Sequence, residues 1–317
     1  MTLTELKYIV AVARERHFGK AAEACYVSQP TLSVAIKKLE DELEVKLFER
    51  NANEVTVTPL GEEIVLQAQS VLEQAANIRE IAKRGKDPLA GALKLGVIYT
   101  IAPYLLPDLV RQVIDKTPQM QLMLQENFTI KLLDMLRSGD IDCAILAEPF
   151  PDAGLAVAPL YDEPFYAAVP ANHPLAQQTS VTAEQLKNET MLLLGNGHCF
   201  RDHVLEVCPE FARFSSNAEG IRKSFEGSSL ETIKHMVAAG MGITLVPALG
   251  IPSKALPAPP GISHLVRYLP VEDGVGIAPP TRRIVLAWRR SFTRYEAIAA
   301  LRNAIYACAL PGVKRLL

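Results

Sequence analysis

The stretch Gly197-His198-Cys199-Phe200-Arg201-Asp202-His203-Val204-Leu205-Glu206-Val207-Cys208 contains the residues best placed to do chemistry in this chain. The residue types around its first thiol favour the ionised form. His198 and Arg201 can bring positive charge near the sulfur. If residues 201–207 form a short helix, Cys199 stands just before its N-terminus, where the helix dipole stabilises an anion. A thiolate is the form that attacks peroxides and becomes a sulfenic acid.

The spacing sets a geometric conflict. A helix between Cys199 and Cys208 holds them about 13 Å apart at 1.5 Å per residue, and a disulfide needs Cα atoms roughly 4.4–6.8 Å apart. The pair can close only if the segment unwinds, and the bond would then trap the rearranged form. Spacing by itself favours two ordinary buried cysteines, and only the surroundings of Cys199 argue for the switch.

The elements that must position this stretch come from a chain of 317 residues, enough for two or three domains with sizeable cores. Hydrophobic content of 49% and charged content of 21% are ordinary for a globular protein. A net charge of −2 points to neither nucleic acid nor an anionic membrane as the dominant partner. No apolar run is long enough to span a bilayer, and Met1-Thr2-Leu3-Thr4-Glu5 does not open a signal peptide, so no membrane role and a cytoplasmic location are expected. Five cysteines are too few and of the wrong parity for a disulfide framework, and no cluster has zinc spacing; no metal and no cofactor are expected. In a reducing compartment a functional cysteine pair is redox-sensing or catalytic.

At the N-terminus, Leu6, Ile9, Val10 and Ala13 have helical spacing, and 18–25 continue that pattern. Ser28 suits an N-cap and Pro30 a first helical turn, starting an amphipathic helix over 31–44 with Leu32, Ala35, Ile36, Leu39 and Leu43 inward. This is the helix-turn-helix arrangement. Gln29, Thr31 and Ser33 can read base edges, and Lys37 and Lys38 can contact phosphate. Residues 51–54 then read as the turn of a small β-wing with Arg50 at its base. Acids and bases nearly balance through residue 60, so physics alone leaves a purely structural three-helix domain open. Thr58-Pro59 begins a long helix to about Lys83, with Ile64, Ala68, Val71, Ala75, Ile78 and Ala82 forming a coiled-coil-like seam that calls for a partner. A hinge is expected at 84–88.

From Ala92 strands and helices alternate: strand 93–98, helix 103–116, strand 121–126, helix 130–138 and strand 143–146. This is a βαβαβ unit with a parallel sheet. Strands 191–194 and 242–247 and helix 230–239 belong to a second unit, and a late strand 283–288 and a final helix 295–308 follow. Cys143 and Cys308 read as packing. Ligands in such sheets bind at the C-terminal ends of strands, which here brings 99–100, 127–129 and 195–199 to one cleft containing Cys199. Thr100 and Thr129 could hydrogen-bond a small polar molecule there, although each alone is more often a helix cap.

The residues Phe18-x-x-Ala21-Ala22-x-x-Cys25-x-Val27-Ser28-Gln29-Pro30-Thr31-Leu32-Ser33, with Ile36-x-x-Leu39-Glu40-x-x-Leu43, Leu47-Phe48-x-Arg50 and Thr58-x-x-Gly61, resemble the winged helix-turn-helix of LysR-type transcriptional regulators. The resemblance implies a DNA-binding domain over 1–58, with Ser28, Gln29, Pro30, Thr31, Ser33, Lys37, Lys38 and Arg50 at double-stranded promoter DNA and Cys25 packed inside. It implies a dimerisation helix over 59–87 and homodimers assembling into homotetramers. It also implies an α/β, periplasmic-binding-protein-like regulatory domain over 88–317, with one subdomain at about 91–162 and 272–317 and the other at about 163–271.

Gly197-His198-Cys199-Phe200-Arg201-Asp202, Cys208 and Ser228-Ser229-Leu230-Glu231-Thr232 are similar to the hydrogen-peroxide-sensing members of that family. The resemblance implies a peroxidatic Cys199, a resolving Cys208 and a supporting pocket of Thr100, Thr129, His198, Asp202 and Arg282, with Arg283 the adjacent candidate for the last. It implies a regulator and not an enzyme, contact with RNA polymerase, and resetting by a dithiol reductant system. Two alternatives remain: a family member that binds an organic effector in the cleft, and a thiol peroxidase that uses its N-terminal domain only for assembly.

Overall fold

Capping residues start the first three helices. In the computed structural model, which describes residues 1–50, 55–84, 87–151, 153–209, 226–227, 229–252, 264–272 and 279–316, Thr2 caps α1 (Leu3–Glu15) in a reciprocal box with Glu5. His17 caps α2 (Phe18–Ala24) through Nδ1, and Ser28 caps α3 (Gln29–Leu43) with Pro30 in its first turn. Their apolar faces meet in a core of Leu6, Ile9, Val12, Phe18, Ala21, Leu32, Ile36, Leu39 and Leu47. Glu40 is buried because it accepts from the amides of Leu47 and Phe48 at 2.8 and 3.3 Å. It therefore fixes the turn into β1 (Phe48–Arg50), which pairs antiparallel with β2 (Val55–Val57). The wing turn 51–54, the hinge residues 85–86, Ser228 and the side chains of Arg50 and Ala82 lie outside the described residues.

Helix α4 (Pro59–Arg84) leaves this domain as one 26-residue rod, about 39 Å long at 1.5 Å per residue. Its first turns join the N-terminal core through buried Val65 and Ala68, with Ile64 packed against it, so the first two positions of the expected seam, Ile64 and Ala68, face this domain, and Val65, which the heptad reading omitted, joins them. Ile78 of that seam is 69% exposed. Further along, Glu73 pairs with Arg289 and accepts from Ser291, and Gln74 donates to the Ser291 carbonyl at 3.1 Å.

The regulatory part is a mixed sheet with helices on its faces. Strand β3 (Gly91–Ile98) lies between parallel neighbours β4 (Met120–Asn127) and β5 (Cys143–Ala147), as the βαβαβ reading requires. The crossovers are α5 (Ala102–Lys116) and α6 (Thr129–Ser138). The 16-residue strand β6 (Leu155–Pro170) then carries the chain into the second half. There it pairs with β9 (Thr244–Pro247) and β10 (Val266–Pro270), while β7 (Leu193–Leu194) and β8 (Glu226–Gly227) form a short parallel pair. Strand β11 (Thr281–Arg289) returns antiparallel to both β5 and β6. Short α7 (Ala183–Leu186), α8 (Cys199–Val207) and α9 (Leu230–Ala238) belong to the second half; α10 (Tyr295–Ala307) and β12 (Lys314–Arg315) close the first. Each half has its own core.

Gly61 shows how the sequence pattern serves packing. A Cβ built there would stand 2.4 Å from the backbone oxygen of Leu47. Helix propensity favours alanine over glycine by about 1 kcal/mol, but a backbone oxygen cannot move aside as a side chain can. Gly61→Ala is expected to destabilise the N-terminal domain, by about 1–3 kcal/mol as for overpacked sites, despite the better helix former. Thermal unfolding of the two proteins checks the sign, and a stabilised variant would contradict the close approach.

Candidate redox site

The site begins at the end of β3 and the starts of α6 and α8. Ile98, Tyr99, Thr100, Asn127, Phe128, Thr129, Gly197, His198 and Cys199 line one cleft whose free volume is ≈ 10 Å³, about what one water-sized molecule needs. Gly197 has φ 95°, and Phe128 lies 3.3 Å from where its Cβ would stand. That turn lets the chain pass close under the ring before α8 starts. His198 is 6% exposed and stacks edge-on against Phe128 at 4.8 Å. Tyr99 completes an aromatic rim.

Cys199 is the first residue of α8, not the residue before it, and Cys208 is the C-cap of the same helix. Both are free thiols; Cys208 is fully buried and Cys199 partly so. The two ends of the helix hold them about 13 Å apart, so this is the form in which they cannot bond.

The expected thiolate-favouring surroundings need correction. Burial raises the Cys199 pKa above its ordinary value; the Thr129 hydroxyl and the Arg282 guanidinium lower it, and the Asp202 carboxylate raises it. Arg201, expected to charge the site, donates instead to the Leu194 carbonyl at 2.9 Å. Asp202, grouped with the pocket from sequence, is exposed and outside the lining; it acts on the sulfur only through space. Neither threonine caps a helix by its side chain. Thr129 is the first residue of α6, its buried Oγ1 lacking a hydrogen-bond partner of full geometry among the described residues. Thr100 is 3% exposed and accepts from Arg282 Nη1 at 2.7 Å.

Arg282 stands one layer behind the lining, 2% exposed. Its Nε donates to Glu163 Oε2 at 2.9 Å and its Nη2 to the Thr100 carbonyl at 3.1 Å. Its guanidinium also lies over the Phe200 ring at 5.0 Å. Strand register separates the two candidate arginines. Arg282 pairs with Glu163 on the buried face, and Arg283, pairing with Asp162, points to the surface. Sequence reasoning passed over Glu163 because its partner lies 119 positions away and only the β6–β11 register brings them together.

At the other end of the chain, Ser28, Gln29, Pro30, Thr31, Lys37 and Lys38 are exposed and Ser33 half-exposed on one side of α3. Tyr26, 96% exposed, and Val34, 69% exposed, extend the same surface and were not singled out from sequence. Cys25, expected inside the core, is half-buried at the end of α2. Among the described residues no helix is long and apolar enough to cross a membrane.

Comparison with known proteins adds a frame. Residues 3–62 match the model of the bacterial regulatory helix-turn-helix protein, lysR family, and 86–307 match the LysR substrate binding domain. The chain is 40% identical over 303 residues, 94% of each chain, to the DNA-binding transcriptional dual regulator OxyR of Escherichia coli strain K12. It superimposes with a TM-score of 0.71 on a full-length cysteine-to-aspartate variant of OxyR from Pseudomonas aeruginosa, at 48% identity over 98% of this chain and 99% of that one. A hydrogen-peroxide-bound cysteine-to-serine mutant of Corynebacterium glutamicum OxyR gives a TM-score of 0.61 at 34% identity over 96% and 91%.

Removing the cation should slow the thiol. Arg282→Met alone leaves Glu163 buried without its partner, a loss of roughly 3–5 kcal/mol, so Glu163→Gln accompanies it. The double variant is expected to keep its fold and to raise the Cys199 pKa further. Its alkylation rate by an uncharged reagent near pH 7 should fall several-fold, in proportion to the lost thiolate fraction. An unchanged rate–pH profile would remove Arg282 from the site.

Proposed function

The chain belongs to the lysR family of bacterial helix-turn-helix regulators, DNA-binding transcription regulators by family, and we propose that it senses hydrogen peroxide through the Cys199–Cys208 pair. The observation that carries this reading is the size of the cleft at Cys199. Its ≈ 10 Å³ is about the space of one water-sized molecule, which favours a small oxidant over a bulky organic effector. The relatives named for hydrogen-peroxide-inducible gene activation support it.

The Cys199 thiolate attacks one peroxide oxygen. The O–O bond breaks, and the departing hydroxide takes a proton and leaves as water, within reach of the cleft's threonine hydroxyls. The Cys208 sulfur then attacks the sulfenic sulfur, the S–O bond breaks and a second water leaves. The balance is one peroxide and two thiols to one disulfide and two waters. Helix α8 must unwind for that bond, and the refolded segment repacks the regulatory domains of a homodimer or homotetramer, changing how α3 meets promoter DNA and how the assembly meets RNA polymerase. Ser28, Gln29, Pro30, Thr31, Ser33, Lys37, Lys38 and Arg50 serve the DNA side. A cytoplasmic dithiol system resets the switch. The protein acts once per oxidation event, as a sensor and not as an enzyme.

Non-reducing peptide mapping after stoichiometric hydrogen peroxide tests the reading. A linked Cys199–Cys208 peptide is expected in the native chain, none in Cys199→Ser, and a persistent sulfenic acid in Cys208→Ser. Two free thiols in a folded, peroxide-treated protein would refute the switch.

A further inference from the structure

Between the two cysteines, on the turn of α8 that follows Cys199, lies His203. It is 4% exposed. Its Nε2 donates to the Glu148 carbonyl at 2.8 Å. Because a carbonyl only accepts, Nε2 carries the hydrogen and Nδ1 is bare. Nδ1 is buried with no hydrogen-bond partner among the described residues. The bond crosses the two halves of the regulatory domain. Phe200, Val204 and Cys208 pack α8 into the core of the second half, whereas Glu148 follows β5 of the first half and its amide is bonded to the Arg283 carbonyl of β11 at 3.0 Å.

We infer that His203 is a positioning residue for the redox step: it straps α8 in the wound form that keeps Cys199 and Cys208 apart, and its release when α8 unwinds couples disulfide closure to uptake of one proton. This inference rests on the peroxide-switch reading and deepens it. The charged groups acting on the ring are Arg282 of β11 and Asp202 and Glu206 of α8, and Phe165 of β6 packs on it at 6.3 Å. Burial is the largest influence and holds the imidazole neutral below its ordinary pKa; Arg282 adds to it, while the Glu148 carbonyl, Glu206 and Asp202 oppose it. A histidine freed from that site titrates near the ordinary value of about 6.5. The sign follows. Below that pH the unwound, disulfide form binds a proton that the wound, dithiol form does not, so falling pH favours oxidation.

The test equilibrates the full-length protein with a small dithiol–disulfide buffer. One protein dithiol and one buffer disulfide become one protein disulfide and one buffer dithiol, so the thiol protons cancel wherever both dithiols stay protonated. The oxidation constant of the native chain is expected to rise, relative to His203→Gln, by up to about eightfold from pH 7 to pH 5.5, the ceiling for a group of ordinary pKa 6.5. Glutamine keeps an N–H donor for the Glu148 carbonyl but does not titrate, and comparing the two proteins cancels the contribution of His198. If the disulfide forms and both proteins respond to pH alike, His203 has no such role and the peroxide switch stands. If no disulfide forms at any buffer ratio, the switch itself fails. Should His203→Gln not fold, NMR titration of the native histidine rings decides: His203 is expected to titrate below pH 7 in the oxidised protein and not in the reduced one, and equal titration in both overturns the inference.

Discussion

A buried ion pair stands behind the redox cleft and ties its Thr100 wall to three other segments. Glu163 is fully buried and Arg282 nearly so, and between them they hold the start of α5 through Thr100, strands β6 and β11, and the turn after β9, where the Leu249 amide donates to Glu163 at 2.9 Å. Taking two charges from water costs several kcal/mol per ion. The cost is offset only because both carboxylate oxygens accept hydrogen bonds and the guanidinium has three acceptor atoms around it. The pair stands where β6 passes from one half of the regulatory domain to the other, so the position of each half is read at the site.

The same pair explains a thiol that is held in check. Burial pushes the Cys199 pKa up, and one shared guanidinium, already engaged with Glu163, pulls it only part of the way back. A thiol with free positive charge beside it would react with many electrophiles. Here the electrophile must first enter a cleft of water size under an aromatic rim, where the Thr129 hydroxyl faces the sulfur.

Strand β11 also reaches the linker helix. Arg282 near its start serves the cleft, and Arg289 at its end pairs with Glu73 of α4 while donating to the Ile141 carbonyl at 2.6 Å. Seven residue steps along the strand separate them, about 23 Å at 3.3 Å per residue. On α5, Tyr104 meets Glu231 of α9 across the two halves, with buried Lys234 donating to the same carboxylate at 2.9 Å. Polar contacts therefore tie the two halves beside the apolar packing of Cys199 and Leu249 on the first core and of Tyr104 on the second.

By itself the sequence determined the elements and their order. Helical periodicity, Ser28 and Pro30 placed the helix-turn-helix, because capping and face burial depend on neighbours within a few residues. Alternating strand and helix segments led to the parallel β4–β3–β5 unit, and the cysteine spacing to a pair that a helix must separate. Where the reading failed, the missing information was long-range. Charge near Cys199 was assigned to Arg201, its neighbour in the chain, whereas the fold turns that side chain to the Leu194 carbonyl and brings in Arg282 from a distant strand. Whether Thr100 and Thr129 cap helices or face a cleft, which of Arg282 and Arg283 turns inward, that Glu163 stands behind the cleft, and that His203 meets the Glu148 carbonyl were decided by strand register and by the packing of α8. A one-residue change of register sends a side chain to the opposite face of a sheet, and no local pattern in either strand records which partner it will meet.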